Sequence, residues 1–120
     1  MYIFSFEKLE VWKEAVKLSK KIYSVTESFP DSEKFGLTNQ LRRASVSISS
    51  NLAEGTTRIT NKDKAHFTSI AYSSTMEILS QLIVSRDLNF LNEEDYLKLR
   101  NTIYKISNML NSLRKSQLND

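Results

Sequence analysis

Residues 40–58 read QLRRASVSISSNLAEGTTR, and the reading of this stretch decides the fold. Between Arg43 and Arg58 the only large side chains are Val46, Ile48, Asn51, Leu52 and Glu54. Ser45, Ser47, Ser49, Ser50, Ala44, Ala53 and Gly55 lie among them. Serine is a middling helix former, so solvent exposure alone does not favour so many in one helix. Small side chains let other helices come close on several sides. Leu37, Leu41, Ala44, Ile48 and Leu52 recur at three- and four-residue steps, the apolar stripe of an amphipathic helix. This helix is expected to begin near Asp31 or Ser32 and to run to residues 53–56. Gly36 would then be a flaw inside it, costing about 1 kcal/mol against alanine, and Gly55 its C-terminal stop.

The same period extends in both directions. Upstream, Leu9, Trp12, Val16, Ser19, Ile22 or Tyr23, and Thr26 predict a helix from Phe6 to about Ser28, capped by Ser5. Phe29-Pro30 stops it, because a residue before proline resists the α conformation. The apolar arm Tyr2-Ile3-Phe4 ahead of it is expected to dock against a surface. Downstream, Thr60-x-x-Asp63 resembles a capping box. Phe67, Ile70, Ala71, Ser74, Ile78, Gln81, Leu82 and Ser85 carry a third helix over 61–88. Asn92 then caps a fourth over 93–116, with Glu93, Glu94 and Asp95 at its positive end and Arg114 and Lys115 in its last turn. Tyr96, Leu99, Ile103, Ile106, Leu110 and Leu113 form its stripe. No segment alternates at period two. Four rods of similar length on short loops predict an all-α, antiparallel up-down-up-down four-helix bundle, one domain over residues 1–120.

Composition narrows the chemistry. The 120 residues are 40% hydrophobic and 26% charged, the balance of an ordinary globular chain. The absence of cysteine removes disulfides, thiolate chemistry and Cys-based zinc sites, and suits the cytoplasm. No apolar run is long enough for a transmembrane helix, and MYIFSFEKLE lacks a basic signal-peptide start. The formal charge of +3 is thinly spread.

His66 is the only histidine. Asp63-x-x-His66 has the spacing of a di-iron bundle ligand pair, but such sites need two Glu-x-x-His units, and no metal or cofactor is expected. Glu54 and Glu77 could form an acid–base pair. With no histidine or metal beside them, structural ion pairs with Arg42, Arg43 or Arg58 are the better reading. The row Gln40, Arg43, Ser47, Asn51, Glu54 and Arg58 lies about 100° round from the apolar stripe. Arg42, Ser45, Ser49, Ala53 and Thr56 form a smooth strip on another side. Together they favour a helix contacted beyond its own bundle, with Arg43, Asn51, Glu54, Arg58 and Glu77 as candidate ion-pair or seam residues of a symmetric homo-oligomer. Arg42, Arg43, Arg58, Lys62 and Lys64, with Lys13 and Lys17 on the first helix, are candidate nucleic-acid contacts, since an oligomer repeats a weak basic patch around its axis. Lys13, Lys17, Lys20 and Lys21, interleaved with Glu10 and Glu14, also read as a solvated face with intrahelical pairs.

FEKLEVWKEAVKLSKKIY, then FPDSEKFGLTNQLRRASVSISSNLAEGTTR, FTSIAYSSTMEILSQL and RDLNFLNEEDYLKL, resemble the 23S rRNA intervening-sequence protein family across about residues 4–115. The distinctive core is Q-x-R-R-A-x-x-S-I-x-x-N-[IL]-A-E-G. The resemblance implies a non-catalytic four-helix bundle that assembles as a ring, a homopentamer. Some members are encoded within insertions in bacterial large-subunit ribosomal RNA genes. A similar protein, the accessory variability determinant of diversity-generating retroelements, is a basic pentamer that binds nucleic acid and a reverse transcriptase. The implied partners are the chain itself and structured RNA or a nucleic-acid-processing protein. The family's motif arginines fall on Arg42, Arg43 and Arg58, and its motif acids on Glu54 and Glu77. Two functions stay open: an RNA-binding ring, and a protein-interaction scaffold with no nucleic-acid role.

Overall fold

In the computed structural model, which describes residues 1–119, helix α1 runs Glu10–Thr26, α2 Leu37–Gly55, α3 Asn61–Asp87 and α4 Glu93–Asn119. Residue 120, the last of the expected domain, lies outside the described residues. Single 3₁₀ turns at Ser5–Lys8 and Asp31–Glu33 precede α1 and α2.

Side-chain pairs establish the directions of the helices. Gln40 meets Gln81, Ser47 meets Ser74, and Gly55 lies against Phe67, so α2 and α3 run in opposite senses. Ser69 with Arg114 and Arg86 with Glu93 do the same for α3 and α4. On the closing side Glu14 meets Lys105, while Lys21 and Val25 border Lys98 and Leu99. Arg42 reaches Tyr23 and Thr26, whereas Leu52 shares a cleft with Leu9. The chain is an all-α antiparallel four-helix bundle. Its 45 Å long dimension follows from the 27-residue helices α3 and α4, each about 40 Å at 1.5 Å per residue.

Leu18, Ile22, Leu41, Ile48, Ile78, Leu82, Ile103, Ile106 and Leu110 make the dry centre. Each contributes roughly 1.5–3 kcal/mol through burial. Hydroxyl residues are buried among them, and most of these bond carbonyls of their own helix. Thr26 donates to the Ile22 carbonyl at 2.7 Å, Ser45 to Arg42 at 2.8 Å, Thr75 to Ala71 at 2.8 Å and Ser85 to Gln81 at 2.7 Å. A hydroxyl that back-bonds in this way needs no water, so serine and threonine serve here as small spacers between close helices.

Several expectations need correction. Helix α1 starts at Glu10, four residues later than the spacing predicts, because Leu9 is extended and Ser5–Lys8 forms its own turn. Ser5 is not the cap; the Glu7 carboxylate accepts the Phe4 N–H at 3.1 Å instead. The buried line of α1 is Val11, Ala15, Leu18, Ile22 and Thr26; Ile22 and Thr26 fall where expected, while Trp12, Val16 and Ser19 lie one residue round from Val11, Ala15 and Leu18. Trp12 and Val16 are half-buried, and Tyr23 contacts α2 through Arg42. Helix α2 starts at Leu37, so Gly36 stands at its N-cap rather than inside it. A Cβ on Gly36 would meet the Glu33 carboxylate at 2.8 Å, and that carboxylate accepts the Leu37 N–H at 3.1 Å. Glycine here makes room for the group that caps the helix. Helix α4 continues to Asn119, which leaves Arg114 and Lys115 short of its last turn. Tyr2, Ile3 and Phe4 are exposed rather than docked on their own bundle. The other two caps stand as expected: Thr60 Oγ1 accepts the Asp63 N–H at 3.1 Å, and Asn92 Oδ1 the Asp95 N–H at 2.8 Å.

Candidate assembly and nucleic-acid surfaces

Arg42 and Arg43 are sequence neighbours and therefore point about 100° apart on α2. Arg42 turns to α1. Its Nε donates to Thr26 Oγ1 at 3.0 Å, a terminal nitrogen reaches the Tyr23 carbonyl at 3.4 Å, and the guanidinium lies 4.6 Å from the centre of the Tyr23 ring. This is a tie between helices. Arg43 turns to α3 and is exposed. With Gln40, Ala44 and Ser47 of α2 and Ser74 and Glu77 of α3 it lines a cleft of about 330 Å³.

A polar ladder runs along this α2–α3 seam. Asn51 Nδ2 donates to the Ser47 carbonyl at 2.8 Å and to Ser47 Oγ at 3.0 Å; Ser47 Oγ in turn shares a 2.9 Å hydrogen bond with Ser74 Oγ. Gln81 Nε2 donates to Gln40 Oε1 at 3.2 Å and to Glu77 Oε2 at 3.0 Å. The ion pairs expected between Glu54 or Glu77 and Arg42, Arg43 or Arg58 do not form within the chain. Among the described residues, the ion pairs are Glu10–Lys13, Glu14–Lys17, Glu14–Lys105, Arg86 with Asp87 and Glu93, and Glu94–Lys98. The physical reason is geometry: Glu77 is taken by Gln81, Arg42 by α1, and Arg58 by an aromatic ring. Among the described residues, Arg43, Glu54 and Glu77 are left on one side of the bundle without an opposite charge of their own.

Arg58, Lys62 and Lys64 surround the connection from α2 to α3. Arg58 lies 4.5 Å from the centre of the Phe67 ring, a cation–π contact. Lys62 is exposed at the start of α3. Lys64 borders a second cleft, of about 370 Å³, with Ser5, Leu9, Leu52, Gly55, Thr56, Thr68, Leu113 and Gln117. Arg43 is some 18 Å along α2 from the helix end, at 1.5 Å per residue. The basic residues grouped by the sequence are therefore divided among the α1–α2 junction, the α2–α3 seam and the bundle end.

Lys13 and Lys17 lie on α1, 3.3 Å from Glu10 and 3.6 Å from Glu14. Glu14 is also 3.3 Å from Lys105 of α4, with its side chain only 18% exposed. Burial pushes the Glu14 carboxyl up, but the Lys105 hydrogen bond and the charges of Lys105 and Lys17 outweigh it and hold the group below its ordinary value. Sequence reasoning missed Lys98 and Lys105. Their seven-residue spacing places both on one face of α4, but only the fold brings that face to Lys17 and Lys21. His66 is exposed, its ring edge-on to Phe67 at 5.8 Å. Among the described residues no three His, Asp or Glu side chains converge as a metal site, and no helix is long and apolar enough to cross a membrane.

Comparison with known proteins matches residues 7–112 to the family described as 23S rRNA-intervening sequence protein. No curated protein matches the chain. Among solved structures the bundle is similar to a protein of unknown function from the S23 ribosomal protein family of Bacteroides thetaiotaomicron. The TM-score is 0.78 at 20% identity, over 88% of this chain and 98% of that one. At that identity the likeness speaks to the fold, while the family match rests on sequence across α1 to α4. The chain belongs to the 23S rRNA-intervening sequence protein family.

Proposed function

We propose that the protein is a non-catalytic, cytoplasmic bundle that assembles into a closed ring, a homopentamer, and binds structured RNA or a ribonucleoprotein through basic residues repeated around that ring. The observation that carries the assembly is the set Arg43, Glu54 and Glu77, charged and without an opposite charge among the described residues, beside a seam of small side chains. In a ring each copy meets its two neighbours through different faces, so one neighbour's glutamate set against Arg43, and Glu54 or Glu77 set against the other neighbour's arginine, recur once at every interface. The family's link to ribosomal RNA supports the ligand. A ring of five multiplies the chain's +3, and Arg58, Lys62 and Lys64 recur once per copy.

A second reading is a protein-interaction scaffold, favoured by the fact that Arg42, Lys13 and Lys17 already have partners inside the protomer. One preparation separates the two. Light scattering gives the solution mass, and RNA titrations at rising salt give affinity and its salt slope. A monomer refutes the ring. An oligomer with no RNA affinity even at low salt leaves the scaffold.

A further inference from the structure

Four aromatic rings form a continuous run at the end of the bundle where the chain begins. Tyr2 meets Phe4 edge-on at 5.0 Å, Phe4 and Phe6 are within 16° of parallel with centres 6.4 Å apart, and Phe6 meets Trp12 at 5.1 Å. Trp12 packs against the core and anchors the run, while Tyr2 is 76% and Phe4 58% exposed. Glu7 holds the Phe4 backbone at 3.1 Å, so the exposed rings stand on a defined turn. At the root of this arm Ser5 and Leu9 border the 370 Å³ cleft, whose apolar walls include Leu52 and Leu113 and whose polar lining includes Lys64 and Gln117. That volume is at the lower end of those that hold small organic ligands.

We infer that the arm and this cleft bind an unpaired stretch of RNA, bases stacking on Phe4 and Tyr2 and phosphates meeting Lys64 and Lys8. The inference rests on the RNA reading above and assigns it a place and a class of RNA. Duplex bases already stack on one another, whereas unpaired bases expose their faces to aromatic side chains. Charge points the same way. At the opposite end, residues 27–36 and 86–95 hold seven acidic residues against Lys34 and Arg86, so a polyanion is repelled there. The arm end, residues 1–10 and 55–64, instead sets Lys8, Arg58, Lys62 and Lys64 against Glu7, Glu10 and Asp63, with Lys64 in the cleft and Arg58 over Phe67, against which Gly55 packs.

The test compares the full chain with the Tyr2→Ser/Phe4→Ser variant, using labelled RNA single strands of about ten nucleotides, within the known range of single-strand site sizes, and a blunt RNA duplex. Both positions are exposed, so the variant keeps its fold, which circular dichroism verifies. Stacking on two rings predicts a loss of at least about 25-fold on the single strand, with duplex binding unchanged. Lys64→Ala should flatten the logarithmic salt slope by about 0.7 for one lost phosphate contact. Equal losses on both RNAs, or none, overturn the arm while RNA binding stands. Wild-type protein that binds neither RNA at low salt overturns the RNA reading and the arm together. A fall in solution mass for the double variant shows that the arm meets a second copy, and likewise overturns the inference.

Discussion

Replacing Arg42 by alanine should destabilise the bundle by cutting a tie between α1 and α2. The side chain makes one charge-assisted hydrogen bond, Nε to Thr26 Oγ1 at 3.0 Å, and stacks 4.6 Å from the Tyr23 ring centre. Hydrogen bonds to charged groups are worth about 1.5–3 kcal/mol, and a cation–π contact near the surface about 0.5–1 kcal/mol. The 3.4 Å contact to the Tyr23 carbonyl adds little. Partial exposure discounts the total, and about 2 kcal/mol remains. At an unfolding entropy near 2.1 cal/mol/K per residue, a chain of 120 residues loses about 8 °C in Tm. Thermal and urea unfolding followed by circular dichroism, at fixed protomer concentration, measure this directly. Arg42→Lys keeps the charge but not the planar fork, and should recover less than half. Thr26→Val removes the acceptor, so the double variant with Arg42→Ala should show a coupling of at least about 1 kcal/mol. A Tm shift under about 2 °C with negligible coupling would refute the assignment of Arg42 as an internal tie. RNA affinity lost in Arg42→Ala without loss of stability would do so too.

Arg43→Ala, one residue away, should leave protomer stability within about 0.5 kcal/mol, as for surface changes generally. Like Glu54→Ala, it should lower the solution mass measured by light scattering, and an unchanged mass refutes the seam. Gly55 lies where α2 meets α3, and an added Cβ would sit 3.1 Å from Phe67 Cβ. Gly55→Leu should therefore cost about 1–3 kcal/mol by overpacking, read from the urea midpoint, whereas Gly55→Ala should be near neutral because helix propensity offsets the contact. Glu14 has a lowered carboxyl pKa in the folded state, so its contribution is complete above the ordinary carboxylate range and is lost as pH falls through the lowered value. Glu14→Gln should remove about 1 kcal/mol or less at neutral pH and nothing in strong acid, where a constant difference across pH would contradict the pairing with Lys105.

The helices were legible because the interactions that make them are local. Apolar side chains three and four residues apart share a face, and the caps Thr60 and Asn92 bond N–H groups three residues on. The stripe of α2 was read correctly at Leu41, Ala44, Ile48 and Leu52, where the sequence neighbours are polar or small. On α1 the reading slipped by one residue over the first turns and met the buried line again at Ile22 and Thr26. Both Val11–Ala15–Leu18–Ile22 and Trp12–Val16–Ser19–Tyr23 run at helical spacing, and a shift of one residue turns a face by 100°. Gly36 was misplaced because Glu33 caps α2 from a separate 3₁₀ turn, a device with no period to detect.

By itself, then, the sequence determined four helices, their order, their approximate ends and the family to which they belong. The tertiary structure decided which of two adjacent arginines ties α1 to α2 and which faces outward. It also decided that Glu14 sits between Lys17 and Lys105, the latter 91 residues away. The helices arise from bonds within a few residues. The surfaces depend on how four of them turn about their axes, and that rotation is chosen only when their buried faces meet.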